Sequence, residues 1–342
     1  MQDKRSTGRR VTLQDVAKDA GVSRATASLV LRESPLVADE TRRHVLASMQ
    51  KLGYVYNRAA ASLRTQRSHT VGVAVTDIMN PFFAELAVGI ESLLDEADYA
   101  VLLTNTSEQL SKQNRLLEVM HEFQVDGVLL CPVEDTPVDA IERLRRWELP
   151  VVLVARYLAN VDVDYVGGDN VRGAQMAVDH LVDRGHGDIA FLGGPAHSSA
   201  RADRLSGFRA ALTRHGLHEV AAPRASGTTR DGGHDAMMEL LDETDAVTAV
   251  LCYNDVVAMG AMLALRARGL EPGKDIAVVG FDDIADASLW RPSLSTVSIP
   301  PRRIGQEAVR LLLHRIEKPD TDVRSVILSP ELIVRDSSAP RV

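Results

Sequence analysis

The chain has 342 residues, 45% of them apolar and 25% charged, which indicates a globular protein of two or three domains. Its net charge of −8 is unevenly divided: residues 1–70 carry 13 Lys/Arg and 6 Asp/Glu, a net of +7, and the other 272 carry 26 and 41, a net of −15. This asymmetry predicts that only the N-terminal region binds a polyanion. The N-terminus is charged and no apolar run could span a membrane, so we expect a cytoplasmic protein without signal peptide or membrane contact.

Three short helices are predicted within residues 1–56. Thr12 and Asp15 match a capping box at the start of the first, Gly21 suits a tight turn, and Ser23 can cap the second. Asp39 is expected to cap the third helix. The residues expected to form the core of this unit are apolar and helically spaced: Leu13, Val16, Ala17, Ala20, Ala27, Val30, Leu31, Val45, Leu46, Met49 and Leu52.

Two short helices across a glycine turn, closed by a third, form a helix-turn-helix unit whose second helix can enter a DNA major groove. We expect Arg24 and Ser28 near base edges, and either Thr26 or the helix N-terminus near phosphate. The DNA-binding residues predicted in this unit are Thr12, Ser23, Arg24, Ala25, Thr26, Ser28 and Leu29. A small helical bundle that does not bind DNA is the alternative. The positive charge counts against it, because phosphate neutralisation by Lys/Arg supplies non-specific affinity.

The stretch NRAAASLRTQR, from Asn57 to Arg67, joins this unit to the body of the chain. Asn57 can cap a helix, and the alanines and Leu63 favour one. A helix this short is only marginally stable alone in water. Residues 57–68 are therefore predicted to be a conditional hinge helix that could report the state of one domain to the other, with an ordinary linker as the alternative.

In residues 69–342 short apolar runs alternate with amphipathic helical stretches. Strands that are apolar throughout and separated by helices predict parallel α/β sheets covered on both faces. The predicted strands are VGVAV, YAVLL, GVLLC, VVLVA, IAFLG, AVLCY and IAVVG. Cys131 and Cys252 lie in these runs, without metal or redox spacing, and are expected to be buried.

Polar and aromatic side chains follow these strands, and open α/β sheets bind ligands at the carboxyl ends of their strands. Among them are Asp77, Asn80, Phe82, Phe83, Arg156, Asp169, Asn254 and Asp282. Amide and carboxylate groups can bind adjacent hydroxyls and aromatic rings can stack on sugar faces, so the set suits a neutral or weakly charged polyhydroxyl ligand. The alternative for each Asx residue is a helix cap or turn.

Sequence patterns of catalysis are missing. There is no Gly-rich phosphate loop and no nucleophile–base–acid set, so we expect neither an enzyme nor a cofactor or metal site.

The run TLQDVAKDAGVSRATASLVL, continued by RRHVLASMQKLGY and NRAAASLR, resembles the N-terminal signature of the LacI/GalR family of bacterial transcription regulators. Blocks of the body resemble the same family, among them MNPFFAELAVGIE, RADRLSGF, YNDVVAMGAM, VVGFDD and WRPSLSTV. The resemblance implies a two-lobed, periplasmic-binding-protein-like core that the chain crosses three times. Lobe 1 would hold about 70–164 and 298–326, and lobe 2 about 165–297 and 327–338.

The same resemblance implies an effector in the cleft between the lobes. Phe82 and Phe83 would lie on one wall, and Arg204, Asn254 and Asp282 on the other. Weaker candidates are Asp77, Asn80, Arg156, Asp169 and Trp290. For Arg204 the alternative is a structural ion pair with Asp203 or a neighbouring lobe.

In that family two hinge helices pair over the operator centre, and a leucine from each wedges into the minor groove and kinks the DNA. Leu63 has that position here, and Asn57, Arg58 and Ala60 are the other hinge residues expected at the DNA. The chain departs from the family pattern at Tyr56, Ala61 and Leu29, each of which replaces a residue type common in the family. Leu29 cannot hydrogen-bond a base, which leaves contact with a thymine methyl, and no operator sequence is therefore carried over.

We predict a homodimeric, DNA-binding repressor of a pseudo-palindromic operator, controlled by a small, sugar-like effector. The effector is an inducer if it holds the hinge segments apart and a corepressor if it brings them together. The alternatives are a cytosolic sugar-binding protein without regulatory DNA binding and a sugar-modifying enzyme.

Overall fold

The computed structural model describes residues 11–31, 34–55 and 67–338. The chain divides into two compact units between residues 66 and 67. The predicted hinge contacts Asn57, Arg58, Ala60 and Leu63 lie outside the described residues. In the part of the chain that is described, no helix combines the length and the apolar composition that crossing a membrane requires.

The N-terminal unit contains α1 (Leu13–Asp19), α2 (Arg24–Leu31) and α3 (Asp39–Leu52). The predicted capping box is present: the Asp15 backbone N–H donates to Thr12 Oγ1 at 3.3 Å, and the Thr12 N–H donates to Asp15 Oδ2 at 2.9 Å. The Thr26 N–H donates to Ser23 Oγ at 3.0 Å, so Ser23 caps α2 as predicted. The three helices pack around a common core of buried apolar side chains: Val16, Ala17, Ala27, Val30, Val37, Val45 and Met49.

Two expectations for α3 were wrong. Its N-cap is Ala38, without a side-chain capping bond, and Asp39 is the first helical residue, where its charge favours the positive helix end. Leu46 is exposed, and Ser48 is buried instead. Leu46 follows Val45 by about 100° of helix rotation, which turns it away from the face that Val45, Ser48 and Met49 share.

The body contains two sheets with helices between their strands. Its strands are β1 (Thr70–Val75), β2 (Ala100–Asn105), β3 (Gly127–Leu130), β4 (Val151–Val154), β5 (Asp164–Gly168), β6 (Ile189–Leu192), β7 (Ala249–Cys252), β8 (Ala277–Phe281), β9 (Ser295–Ser298), β10 (Ser325–Leu328) and β11 (Glu331–Ile333). Its helices are α4 (Pro81–Glu96), α5 (Leu110–Glu122), α6 (Val138–Arg146), α7 (Asn170–Asp183), α8 (Ser199–Arg214), α9 (Arg230–Glu243), α10 (Asp255–Ala267), α11 (Ala285–Leu289) and α12 (Pro301–Glu317), followed by a 3₁₀ turn (Asp336–Ser338).

The first sheet has the order β10-β5-β4-β3-β1-β2 and is parallel throughout. The second has the order β11-β9-β8-β7-β6 and is parallel except for β11, which pairs antiparallel with β9. The seven predicted apolar runs are the strands β1–β4 and β6–β8, and both cysteines are buried. The predicted α/β fold class is confirmed.

The chain crosses between the sheets three times: after β5, after β9 and between β10 and β11. The family resemblance implies a first crossing near residue 164. It comes after Gly168, because β5 pairs with β4 and β10 in the first sheet. We therefore define lobe 1 as residues 67–168 and 299–328, and lobe 2 as residues 169–298 and 331–338.

In lobe 1, α4 and α12 pack so closely that a Cβ on Gly89 would lie 2.2 Å from the Arg302 carbonyl oxygen. Only a residue without a side chain permits this approach. The contact holds α4, whose first turn reaches the cleft between the lobes.

Candidate ligand-binding site

The carboxyl ends of strands from both lobes line a common cavity between the lobes. Seven of the ten predicted residues line it: Asn80, Phe82, Phe83, Arg156, Arg204, Asn254 and Asp282. Asp77, Asp169 and Trp290 lie elsewhere.

The wall from lobe 1 is aromatic. Phe82 and Phe83 lie in the first turn of α4, with ring centroids 5.2 Å apart and ring planes nearly perpendicular at 88°. Pro81 and the cap at Asn80, whose Oδ1 accepts from the Phe82 N–H at 3.0 Å, fix the start of this helix. The two rings are buried by the fold and form a rigid apolar surface.

Arg156 follows β4 in lobe 1 and reaches the cavity with only 5% of its surface exposed. Its Nη2 donates to Glu108 Oε1 at 2.7 Å and its Nη1 to Glu108 Oε2 at 3.0 Å, a two-bond arrangement. Ala155 beside it has a φ of 61° and Glu108 a φ of 54°, both in the left-handed region that side chains disfavour. Strained backbone of this kind is concentrated at functional sites.

Arg204 from α8 faces them across the cavity in lobe 2. Its guanidinium lies between two rings, with its carbon 3.7 Å from the Phe281 centroid and 4.7 Å from the Tyr253 centroid. Its Nε donates to Asn170 Oδ1 at 2.9 Å, and another nitrogen donates to the Tyr253 carbonyl oxygen. Asp203, the alternative partner that we considered, instead accepts a hydrogen bond from the Tyr157 hydroxyl at 2.8 Å.

Asp282 lies at the end of β8, 3.7 Å from an Arg204 nitrogen. Burial raises the pKa of Asp282 to about 7, although Arg204 and a hydrogen bond with Asn80 of lobe 1 act in the opposite direction. Its φ of 115° is strained for a residue with a side chain. The structure thus holds a carboxyl group with an unusual pKa at the meeting point of the lobes.

Two of the lining residues are helix caps as well. Asn80 Oδ1 caps α4, and Asn254 Oδ1 accepts from the Val257 N–H at 2.9 Å and caps α10. Capping uses only the oxygen of each amide, so the N–H groups remain as donors, and Asn80 also makes a hydrogen bond with Asp282. The capping alternative therefore does not exclude ligand binding at these positions.

The remaining three predicted residues have local roles. Asp169 Oδ1 caps α7 by accepting from the Arg172 N–H at 2.9 Å, and Asp77 Oδ1 accepts from the Met79 N–H at 3.0 Å. Trp290 packs partly buried against the core of lobe 2. For Asp77 and Asp169 the turn or cap alternative describes their observed contacts.

The sequence analysis did not identify Tyr253, which lines the cavity, or Glu108, which binds Arg156. Tyr253 directly precedes Asn254 at the end of β7, so the rule that selected Asn254 could have found it. Glu108 lies three residues beyond β2, and its pairing with Arg156 depends on a turn that no simple pattern indicates.

Among the predicted DNA contacts, Arg24 and Ala25 are exposed on α2, and Ser28 and Leu29 are partly exposed. In the described ranges no group of three or more His, Cys, Asp or Glu residues is arranged to hold a metal ion.

Comparison with known proteins gives the same division of the chain. Residues 12–57 match the family profile "Bacterial regulatory proteins, lacI family", and residues 68–336 match "Periplasmic binding proteins and sugar binding domain of LacI family". The ribose operon repressor of Escherichia coli K12 is 35% identical over 329 residues, which cover 96% of this chain and 99% of that protein.

Two solved structures are similar in fold. The lac repressor dimer bound to operator and the anti-inducer ONPF has a TM-score of 0.86 and 29% identity, and the alignment covers 97% of this chain and 100% of that one. A LacI family regulator from Enterococcus faecium with bound ribose has a TM-score of 0.70 and 30% identity, covering 79% of this chain and 99% of that one.

Proposed function

The chain belongs to the LacI family of bacterial regulatory proteins, and on this premise we propose that it is a dimeric, operator-binding repressor controlled by ribose or a closely similar pentose. The effector occupies the cavity between the lobes. The protein acts in the cytoplasm on DNA and catalyses no reaction on its effector.

The observation that supports the sugar proposal is the combination of aromatic and polar side chains around one cavity. Phe82 and Phe83 offer an apolar surface to a sugar face, while Arg156, Arg204 and Asp282 offer donors and acceptors to its hydroxyls. The bound ribose of the Enterococcus faecium regulator and the name of the Escherichia coli repressor support ribose as the first candidate.

The DNA proposal rests on the N-terminal unit. A capped helix-turn-helix with exposed Arg24 and Ala25 on its second helix can present side chains to a major groove. One such unit contacts a half-site, so a two-fold dimer would bind a pseudo-palindromic operator, and the similarity to the operator-bound lac repressor dimer supports this arrangement. The comparisons support this function and not the alternative of a sugar-binding protein without regulatory DNA binding.

We further propose that ligand binding in the body changes DNA binding by the N-terminal unit. A ligand that prefers one lobe arrangement shifts the protein toward it and thereby changes the separation of the two hinge segments in a dimer. Asn57, Arg58, Ala60 and Leu63 would contact DNA only when those segments pair.

The test begins with thermal unfolding of the purified chain in ribose, other pentoses, hexoses and nucleosides. A ligand at a hundred times its Kd adds about 2.7 kcal/mol to the stability of the folded state. We expect ribose to raise Tm in the wild type and in Phe123→Ala, whose side chain is exposed outside the cavity, but much less in Phe82→Ala.

Operator binding is then titrated with and without ribose by fluorescence anisotropy. A ribose-dependent change in operator Kd supports regulation, and its sign separates inducer from corepressor. An unchanged Tm with every pentose, or an equal rise in Phe82→Ala, would refute the proposed site. Consumption of ribose, followed by NMR, would show catalysis and refute the non-enzymatic proposal.

A further inference from the structure

Two guanidinium groups reach the cavity, one from each lobe, and such a pair suggests a site for an anion. Arg forks bind phosphate through two parallel hydrogen bonds, so Arg156 and Arg204 could in principle hold a phosphorylated sugar. Whether they can do so depends on how many of their donors are already bound within the protein.

The Arg156 guanidinium already makes the two parallel hydrogen bonds that it would make to a phosphate, and it makes them to Glu108. Both terminal nitrogens donate to Glu108, at 2.7 and 3.0 Å, and Nη1 also lies 3.4 Å from the Pro132 carbonyl oxygen. A phosphate could take these donors only by displacing Glu108, or it would have to lie beside the carboxylate and be repelled by it.

The Glu108–Arg156 pair belongs wholly to lobe 1. Glu108 comes from the loop after β2 and Arg156 from the end of β4, in the same sheet. The pair therefore does not depend on the angle between the lobes.

Arg204 is also held by groups of its own lobe, lobe 2. Two rings cover its faces, Asn170 and the Tyr253 carbonyl group take two of its edges, and Asp282 lies 3.7 Å from a terminal nitrogen. Each arginine thus lies beside a carboxyl group of its own lobe.

Because Glu108 already binds both terminal nitrogens of Arg156, this arrangement suits a neutral sugar better than an anion. Each hydroxyl both donates and accepts, so it can bridge a carboxylate oxygen and a guanidinium N–H without disturbing the pair. A phosphate ester only accepts at neutral pH and adds a charge of about −2 beside Glu108.

We propose that Glu108 is a specificity-determining residue, which holds the Arg156 guanidinium and thereby makes the cavity select unphosphorylated sugars over their phosphate esters. This inference rests on the proposed sugar-binding function and adds to it the chemical class that the cavity rejects.

The test compares Kd values for ribose and ribose 5-phosphate by isothermal titration calorimetry in the full-length protein. The wild type should prefer ribose by about tenfold or more, because like-charge contacts are costly in a desolvated site. Glu108→Gln keeps the shape of the side chain but removes its charge, and should narrow this preference by about tenfold through tighter binding of the phosphate ester. Glu108→Asp keeps the charge and should retain most of the preference.

Glu85→Gln is the matched control. Glu85 also binds an arginine, Arg302, through both oxygens in lobe 1, but this pair is exposed between α4 and α12, away from the cavity. Its substitution should leave the ribose preference unchanged.

Ribose binding with the same preference in Glu108→Gln as in the wild type would overturn the role of Glu108 and leave the proposed function standing. Wild-type protein that binds both ligands equally would overturn the selectivity itself. Failure of the wild type to bind either ligand would overturn the proposed function and this inference together. Thermal unfolding of each variant shows whether it is folded, and Glu108→Asp provides the second measurement if Glu108→Gln is not.

Discussion

Asp282 contacts residues of both lobes at the cleft. It is buried, its backbone is strained, and its carboxyl group lies between Arg204 of its own lobe and Asn80 of the other. Burial raises its pKa to about 7 because the charged form loses its hydration. Nearby Asp255 is also buried, and burial together with Asp282 raises its pKa well above the usual range.

The raised pKa of Asp282 predicts a pH-dependent stability. In the unfolded chain Asp282 ionises near pH 4, whereas the folded protein keeps its proton until about pH 7, so ionisation costs stability as pH rises through this range. Asp282→Asn removes that cost, and by removing a charge it also eases the ionisation of Asp255. We expect the stability of Asp282→Asn relative to wild type to increase from pH 5 to pH 8, at about 1.4 kcal/mol or less for each unit of pKa shift relieved.

Urea unfolding of the ligand-free proteins at both pH values measures this difference. The exposed Asp139→Asn serves as the control and should show no such trend. An equal dependence on pH in wild type and Asp282→Asn would contradict the prediction.

At the scale of elements, the loop after β4 and the start of α8 connect the two lobes. The Tyr157 backbone N–H donates to Ser199 Oγ at 2.9 Å, and its hydroxyl donates to Asp203 Oδ1 at 2.8 Å. Close by, His197 Nδ1 lies 3.0 Å from Asp135 Oδ1 across the same boundary. These bonds exist only in a lobe arrangement that brings the two elements together.

Tyr157→Phe should therefore weaken sugar binding. The substitution removes one bond that stabilises this arrangement, and a typical hydrogen bond contributes about 0.5–1.5 kcal/mol, or roughly two- to tenfold in Kd. Calorimetric titration with ribose measures the change. Tyr99→Phe is the control, because the Tyr99 hydroxyl interacts with Asp126 inside lobe 1. Unchanged or tighter binding in Tyr157→Phe would show that the ligand does not require this contact.

For the whole molecule, the charge asymmetry separates two kinds of binding. Operator binding depends on the basic N-terminal region and releases counterions from DNA, whereas the cations of the cavity are paired within the protein. Raising salt from 50 to 200 mM should weaken operator binding by about a hundredfold or more and change the ribose Kd by less than about twofold. Anisotropy and calorimetry over the same salt series test this, and parallel losses in both would argue against separate binding units.

A further prediction concerns Leu63 in the predicted hinge and its effect on operator binding. If Leu63 wedges into the minor groove of a paired half-site, Leu63→Ala should weaken operator binding much more than binding to unrelated DNA, because only operator binding includes the kink. Competition titrations with both DNAs measure the two losses. Equal losses would refute the wedge role.

Features that depend on neighbours in sequence were predictable from the chain alone. The capping box at Thr12, the cap at Ser23 and the seven apolar strands follow from local hydrogen bonding and from the burial of both sheet faces. Six of the residues predicted from strand ends line one cavity, because parallel strands end at a common edge, whereas Arg204, within a helix, was indicated only by the family resemblance.

Other features of the fold and the site depend on contacts between residues that are far apart in the sequence. Short, mixed strands such as β5 (DYVGG) and β11 (ELI) take their conformation from sheet partners far along the chain, so their local pattern is weak. Glu108 and Arg156 are 48 residues apart, and Arg204 and Asp282 lie on different elements of lobe 2. Their pairing and the raised pKa of Asp282 arise only when folding brings these groups together out of water, because electrostatic effects depend on distance and burial and not on order in the chain.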